Sequence, residues 1–440
     1  MSDSNLTPLQ ICANLGADNG ALLFAGQNTL CLAEKYGTPL YLMDEERIRE
    51  RCRTYKNAIK RAFADKGTVL YASKAASYKR IYEIMREEGM GIDVVSCGEI
   101  RTAEKAGYPL KNAYFHSNNK TDADIEYAIE RGIGYFVVDN EEELFAIDKI
   151  ARKAGIKQSV LLRITPGIDP HTYEQVATGK VDSKFGSAIE TGQAFDITKT
   201  ALSLENLSLV GFHCHIGSQL FDSSVYIATV DVMVDFLRDI NDKFGFVAQK
   251  LDLGGGYGVR YTTNDPTIDI EENIIEVGEY LKEKVALANI EMPEICFEPG
   301  RSIVADAGMT LYTAGTVKKI PGYKTYVSVD GGMTDNPRFV LYGSQYTLLN
   351  AGKLNEEHNM SCSVVGRCCE SGDIIQENVS LPQSTARGDI IACLTTGAYH
   401  YSMASNYNRI PRPPVVMLSG GESYLAVRRE TFDDITSLDI

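Results

Sequence analysis

Eight short apolar runs, set apart by charged stretches, constrain this chain more than any other feature. They fall at residues 69–72, 92–95, 113–115, 135–138, 160–164, 209–213, 250–253 and 295–297. Between them, residues 78–88, 123–131, 141–153, 224–241 and 272–287 place apolar side chains at helical spacing. Strand and helix in alternation are the pattern of parallel βα units. Eight such units over about 250 residues predict a closed (β/α)8 barrel rather than an open sheet.

From residue 307 the texture changes. Strand candidates at 312–317, 325–329, 360–365, 373–379, 389–394 and 414–418 follow one another without helices. Turn residues separate or end them, among them Pro321-Gly322, Gly331-Gly332, Asn336-Pro337 and Ser419-Gly420-Gly421. This predicts an all-β second domain. Two early strand-like pieces, 21–24 and 40–43, flank a helical patch and cannot bury themselves alone, so they are expected to join it. The expected division is 44–306 for the barrel, with 1–43 and 307–440 forming the β domain. Residues 344–358 carry no signature. A length of 440 residues suits two domains rather than one core.

The net charge of −15 argues against a nucleic-acid or anionic-membrane partner, both of which need clustered cations. The ten cysteines are scattered and form no CxxC pair. With no N-terminal signal segment, this reads as a protein of the reducing cytoplasm. No apolar run has the length to cross a bilayer.

Functional residues of a βα barrel gather at the C-terminal ends of its strands, and phosphate often binds after the last two. Four distinctive stretches fall there. In TVLYASKAAS, residues 68–77, Lys74 ends the first strand. An amine desolvated at such a place is nucleophilic and can hold an aldehyde cofactor covalently; the plain alternative is a lysine reaching for solvent. His213-Cys214-His215 ends the sixth strand and runs into Ile216-Gly217-Ser218-Gln219. A histidine pair at i and i+2 could ligate a metal, with His116 as the one further candidate among six histidines. The stronger reading stacks His215 on a cofactor ring and leaves His213 in support. Gly254-Gly255-Gly256-Tyr257-Gly258 follows the seventh strand. It is not a dinucleotide fingerprint, but its bare N–H groups suit a phosphate as well as a tight turn. Glu298-Pro299-Gly300-Arg301 follows the eighth. Glu298 could merely pair locally; opposite a pyridine nitrogen it would keep the ring protonated and electron-accepting.

YASKAAS, HCHIGSQ, LDLGGGYG, EPGRSIVADAG, GRCCESGD and GAYHYSMASNYN together resemble the diaminopimelate decarboxylase family, pyridoxal-phosphate enzymes with an alanine racemase-like barrel. The resemblance runs from about residue 37 into the C-terminal region, and residues 171–186 resemble the family's loop after the fifth strand. It implies that Lys74 carries pyridoxal 5'-phosphate, with Asp93 close by. It implies that His215 stacks on the ring, that Ser218 helps hold it, and that Glu298 binds its nitrogen. Gly255, Gly256, Gly300 and Arg301 would lie near the phosphate, with Tyr399 touching it. Arg301, Arg338 and Tyr342 would hold carboxylates of meso-diaminopimelate, which suits an arginine fork. Cys369 would be the proton donor and Glu370 would recognise the distal ammonium. Both would come from the neighbouring subunit of a homodimer. The chain has Asn336-Pro337-Arg338-Phe339 where the family often has Arg-Pro, but Arg338 keeps its spacing to Tyr342.

Competing readings keep the fold and change either the specificity within the same chemistry or the chemistry itself. They are a decarboxylase of another basic amino acid or of carboxynorspermidine, a racemase, a non-catalytic cofactor-binding homologue, and a metal-dependent hydrolase. Glu298 speaks against the racemase, and Lys74 with Cys369 against the non-catalytic homologue.

Overall fold

The computed structural model describes residues 7–168 and 183–440, so most of the loop segment 171–186 lies outside the described residues. The chain divides into two compact units: Arg51–Gly258 with Thr267–Gly300, and Met1–Glu50 with Val259–Pro266 and Arg301–Ile440.

The first unit is the barrel. Its strands are β1 (Gly67–Ala72), β2 (Gly91–Val94), β3 (Ala113–Phe115), β4 (Tyr135–Val138), β5 (Gln158–Thr165), β6 (Leu207–His213), β7 (Lys250–Asp252) and β8 (Glu294–Phe297). Each pairs in parallel with the next, and β8 pairs in parallel with β1, so the ring closes. The eight runs expected from sequence are these strands. Leu70, Tyr114, Val137, Leu161, Val210 and Cys296, one from each of six strands, form a single buried cluster. That cluster fills the barrel as a core rather than leaving a pore.

The connecting helices carry their own start and stop signals. Helix Glu141–Ala154 opens on Asn140, whose side chain accepts the Glu143 N–H, and closes on Gly155 at φ 68°. Two connectors escaped the sequence reading, Cys97–Lys105 and Gln193–Ser203. The first buries only Ile100 and Ala103, too few to show a period.

The second unit is built on a nine-stranded sheet. Its path runs Ile374–Leu381, Met360–Val365, Lys324–Val329, Gly308–Ile320, Leu40–Asp44, Val415–Ser419, Glu422–Val427. Ile390–Leu394 pairs with Gly308–Ile320, and Leu348–Asn350 pairs with Ile390–Leu394. Leu40–Asp44 therefore joins this sheet, as expected. Ala21–Phe24 is not one of its strands, though the Leu22 N–H is donated to the Ala351 carbonyl oxygen at 2.7 Å. It sits in its own three-stranded meander, and Leu22 and Phe24 alternate into the core shared by Leu42, Leu311, Val416 and Leu418.

The units part at different points from those suggested by texture. Arg47, on the first turns of helix Glu45–Phe63, pairs with Asp306 at 2.7 Å. Thr347 donates its hydroxyl to the Tyr261 carbonyl at 3.0 Å. Texture reports which element a residue forms; contacts such as these decide which core it serves.

Candidate active site

At the C-terminal mouth of the barrel lies a buried polar cluster. Glu298, directly after β8, is flanked by two imidazoles. His116 Nε2 lies 2.8 Å from its Oε1, and His213 Nε2 lies 3.1 Å from its Oε2. His116 follows β3 and His213 ends β6, so barrel closure brings three distant segments together. The two imidazole rings meet edge-on at 4.9 Å. Asp93, on β2, has its Oδ1 3.8 Å from the same His116 nitrogen.

Burial alone would push the Glu298 carboxyl up. His116 and His213 outweigh it and hold the group well below the usual carboxylate range. Its neighbours take the opposite course. Burial lifts Asp93 to about 6, against the pull of His116. Asp252, at the end of β7, rises well above the usual range through burial and the Glu298 charge. Burial also takes Glu99 to about 7. Glu298 is thus the carboxyl of this dry site held most firmly in its ionised form, while its neighbours are pushed toward protonation. Burial, with Lys74 and Arg163 nearby, lowers His215 well below the ordinary histidine value, so its ring is neutral.

Glycines let the surrounding loops close on one another. Gly254 and Gly256 have φ of 70° and 126°, and a Cβ on them would meet the Cys214 and Gly217 carbonyl oxygens at 2.6 and 2.7 Å. A Cβ on Gly255 would strike the Glu298 carbonyl oxygen at 2.2 Å. Gly300 is equally tight, with Ala72 Cβ at 2.9 Å. Backbone contact between the loops after β6, β7 and β8 therefore requires these residues. His215 and Ser218 stand half-buried in the first of those loops. β6 ends at His213, so His215 lies beyond the strand, in the loop that follows it.

One expectation fails. Lys74 is not desolvated by the chain; it is exposed. The short helical turn Ser73–Ala75 buries both neighbours and turns the lysine out at the mouth. Its charge still bears on His215, Asp93 and Glu99. Strand hydrophobicity described Val69 to Ala72, not the side chain that follows the strand.

The second unit holds its own pair of buried arginines around one tyrosine. Arg301 and Arg338 are buried, and each guanidinium carbon lies 4.9 Å from the centre of the Tyr399 ring. Arg338 also lies over Tyr342 at 5.0 Å. Tyr399 holds φ at 70°, a left-handed conformation rare for a bulky residue and typical of constrained sites. Among the described residues no carboxylate pairs with Arg338. Nearby in the chain, the buried Asp373 accepts the N–H groups of Met333 and Cys368 at 2.6 and 2.7 Å. That loop presents Cys369 and Glu370 outward, both exposed, with the Cys369 N–H donated to Asn408 Oδ1 at 2.8 Å.

Sequence reasoning missed several neighbours. His116 was weighed only as a metal ligand, and Arg163, Glu99, Tyr261 and Tyr346 were not singled out. His116, His213 and Glu298 do have ligand atoms within 4.8 Å of one another, spacing that a metal ion accepts. Among the described residues no helix is long and apolar enough to cross a membrane.

A mouth that offers an accessible amine and a buried, ionised carboxylate can hold an aldehyde at the one and a ring nitrogen at the other. That defines a class, the barrel enzymes that work through pyridoxal. The family model "Pyridoxal-dependent decarboxylase, pyridoxal binding domain" matches residues 45–305. Within that class the chain belongs to the diaminopimelate decarboxylase family. It is 44% identical to the diaminopimelate decarboxylase of Bacillus subtilis over 96% of each chain. The M. jannaschii diaminopimelate decarboxylase solved with L-lysine superposes with a TM-score of 0.89 at 35% identity, covering 97% of this chain and 98% of that one. The Helicobacter pylori enzyme, also with L-lysine, gives 0.84 at 32% identity over 94% and 99%.

Proposed function

We propose that this chain removes the carboxylate from one end of meso-2,6-diaminopimelate, releasing carbon dioxide and L-lysine, with pyridoxal 5'-phosphate as cofactor. The observation that carries the reading is the Arg301–Tyr399–Arg338 receptor. A substrate with two carboxylates matches two buried guanidiniums, each able to bind a carboxylate through a fork of N–H donors. A decarboxylase for lysine, ornithine or arginine would leave one of them without its anion, at a cost of several kcal/mol for a buried charge.

The mouth of the barrel fits the cofactor. Asp93 Oδ1 is buried without a hydrogen-bond partner among the described residues, and the neutral His215 ring, the Glu298 anion and the Lys74 amine converge on that region by charge. Lys74 would hold the cofactor covalently through Nζ. Its exposure leaves the amine open to an aldehyde, and bound groups rather than the chain would exclude water from it. Glu298 would face the pyridine nitrogen and keep a proton there. Gly255, Gly256, the Gly300-Arg301 backbone, Ser218 and Tyr399 would surround the phosphate. When bound, pyridoxal supplies an electron sink for the pair left at the substrate Cα as carbon dioxide departs. A metal at His116, His213 and Glu298 would instead take up the anion that the ring nitrogen needs, and would leave the receptor arginines without a task.

Cys369 would deliver the proton to Cα, and Glu370 would bind the distal ammonium. Both side chains are exposed on a loop fastened by Asp373, which suits service to a second subunit. The working form is accordingly a homodimer with shared sites, held in the cytoplasm, where its ten thiols stay reduced. A carbon dioxide release assay on purified protein tests the function. It compares meso-diaminopimelate with lysine, ornithine and arginine, with and without added cofactor. Release from lysine or ornithine in preference to meso-diaminopimelate would overturn it.

A further inference from the structure

Resting on that reading of the receptor, we infer that Tyr261 and Tyr346 are positioning residues that aim the two arginines at the substrate. Arg301 donates Nη1–H to the Tyr261 hydroxyl at 2.7 Å, and Arg338 donates Nε–H to the Tyr346 hydroxyl at 3.1 Å. All four side chains are buried.

The choice of acceptor matters. A buried arginine needs acceptors for its five donors, and a carboxylate is the usual one. A carboxylate would also cancel the positive charge, and an incoming substrate would then have to displace it. A phenol accepts one hydrogen bond, fixes the plane of the guanidinium and leaves the charge for a ligand. Burial and the nearby Tyr261 raise the Tyr346 phenol above its ordinary range, against Arg338, so it stays neutral. The imidazole of His400 is neutral too, lowered to about 3 by burial and then by Arg338.

Both braces are themselves fastened. The Tyr261 N–H is donated to Asp265 Oδ2 at 2.8 Å, and the Tyr346 N–H to Gln376 Oε1 at 2.9 Å. Tyr346 meets Tyr261 on one side and His400 on the other, each edge-on with ring centres 5.1 Å apart. His400 is locked in turn, with Nδ1 2.9 Å from the Ala398 carbonyl oxygen. The result is a neutral, interlocked wall of rings behind the two guanidiniums. This preorganises the fork, and preorganisation lowers the cost of binding.

The test uses Tyr261→Phe and Tyr346→Phe in the holoenzyme, since each keeps the ring and deletes only the acceptor. Each change is expected to raise KM for meso-diaminopimelate about tenfold with kcat within about twofold, as for lost ground-state positioning. The spectrum of the bound cofactor stays as in the wild type. Binding of pimelate, the same seven-carbon dicarboxylate without amines, weakens in parallel, while 1,5-diaminopentane, which has no carboxylate, inhibits as before. An unchanged KM and pimelate affinity in both variants would overturn the inference, as would equal weakening of the diamine. Should one variant fail to fold, the other carries the test alone. Pimelate binding needs no turnover, so the braces can fail while the decarboxylase reading stands, and the reverse.

Discussion

His116 Nε2 and Glu298 Oε1 lie 2.8 Å apart at the C-terminal mouth of the barrel, with both residues buried. His213 holds the other carboxylate oxygen at 3.1 Å. These imidazoles keep Glu298 ionised against burial. Replacing either by phenylalanine removes an effect that lowers the carboxyl, so the Glu298 value must rise. Activity of His116→Phe or His213→Phe should then fall on the acid side at a higher pH than in the wild type. We expect kcat to drop about ten- to a hundredfold at neutral pH. Rate profiles against pH, with cofactor absorbance recorded alongside, check this; an acid limb that does not move would separate the histidines from Glu298.

How much of this was legible beforehand differs by element. The eight barrel strands were, because a strand buried on both faces is an apolar run that needs no partner to be seen. Leu348–Asn350 was not: three residues show no period, and their place is set by pairing with Ile390–Leu394. Gly254 to Gly256 and Glu298 stood out through residue type and position at strand ends. Tyr261 and Tyr346 did not, because their partners lie 40 and 8 residues away in the chain and a tyrosine alone reads as an aromatic packed in a core. Lys74 was found but its surroundings were misjudged, since a strand's hydrophobicity says nothing of which way the next residue turns.

Asp335 offers a prediction about stability. It accepts the Tyr312 hydroxyl at 2.6 Å and the Gly332 N–H at 2.9 Å, and burial raises its carboxyl to about 7. Unfolded, an aspartate ionises near 4. Between those values the fold binds more protons than the unfolded chain, so this group's contribution is complete below about pH 4 and is lost as pH rises through about 7. Asp93 and Glu99 act in the same direction. Asp335→Asn should flatten part of the slope, by a few kcal/mol at most across that window. Thermal midpoints taken at steps of pH check it, and an identical slope in the variant would place the titration elsewhere.

Arg338→Lys keeps the charge and loses the fork. The ammonium cannot span both oxygens of a carboxylate or lie flat on Tyr399 and Tyr342. KM for meso-diaminopimelate should rise about ten- to a hundredfold, with cofactor affinity unchanged. Steady-state kinetics and cofactor titration separate the two; weaker cofactor binding with an ordinary KM would move Arg338 out of the substrate receptor.

Lys74 and Cys369 allow a test of whether the site is shared between two subunits. Cys369→Ala should bind cofactor normally while turnover falls at least a hundredfold, as expected when a positioned proton donor is lost. Lys74→Ala should be inactive for the separate reason that no amine holds the aldehyde. If each site draws its amine from one subunit and its thiol from the other, a mixed dimer has one site with both defects and one with neither. An equal mixture of the two variants, unfolded together and refolded, forms mixed dimers in about half of all pairs, each with one intact site. About a quarter of wild-type carbon dioxide release should therefore return. A mixture that stays as inactive as its parents, in dimers shown to have exchanged, would mean that each subunit supplies its own thiol.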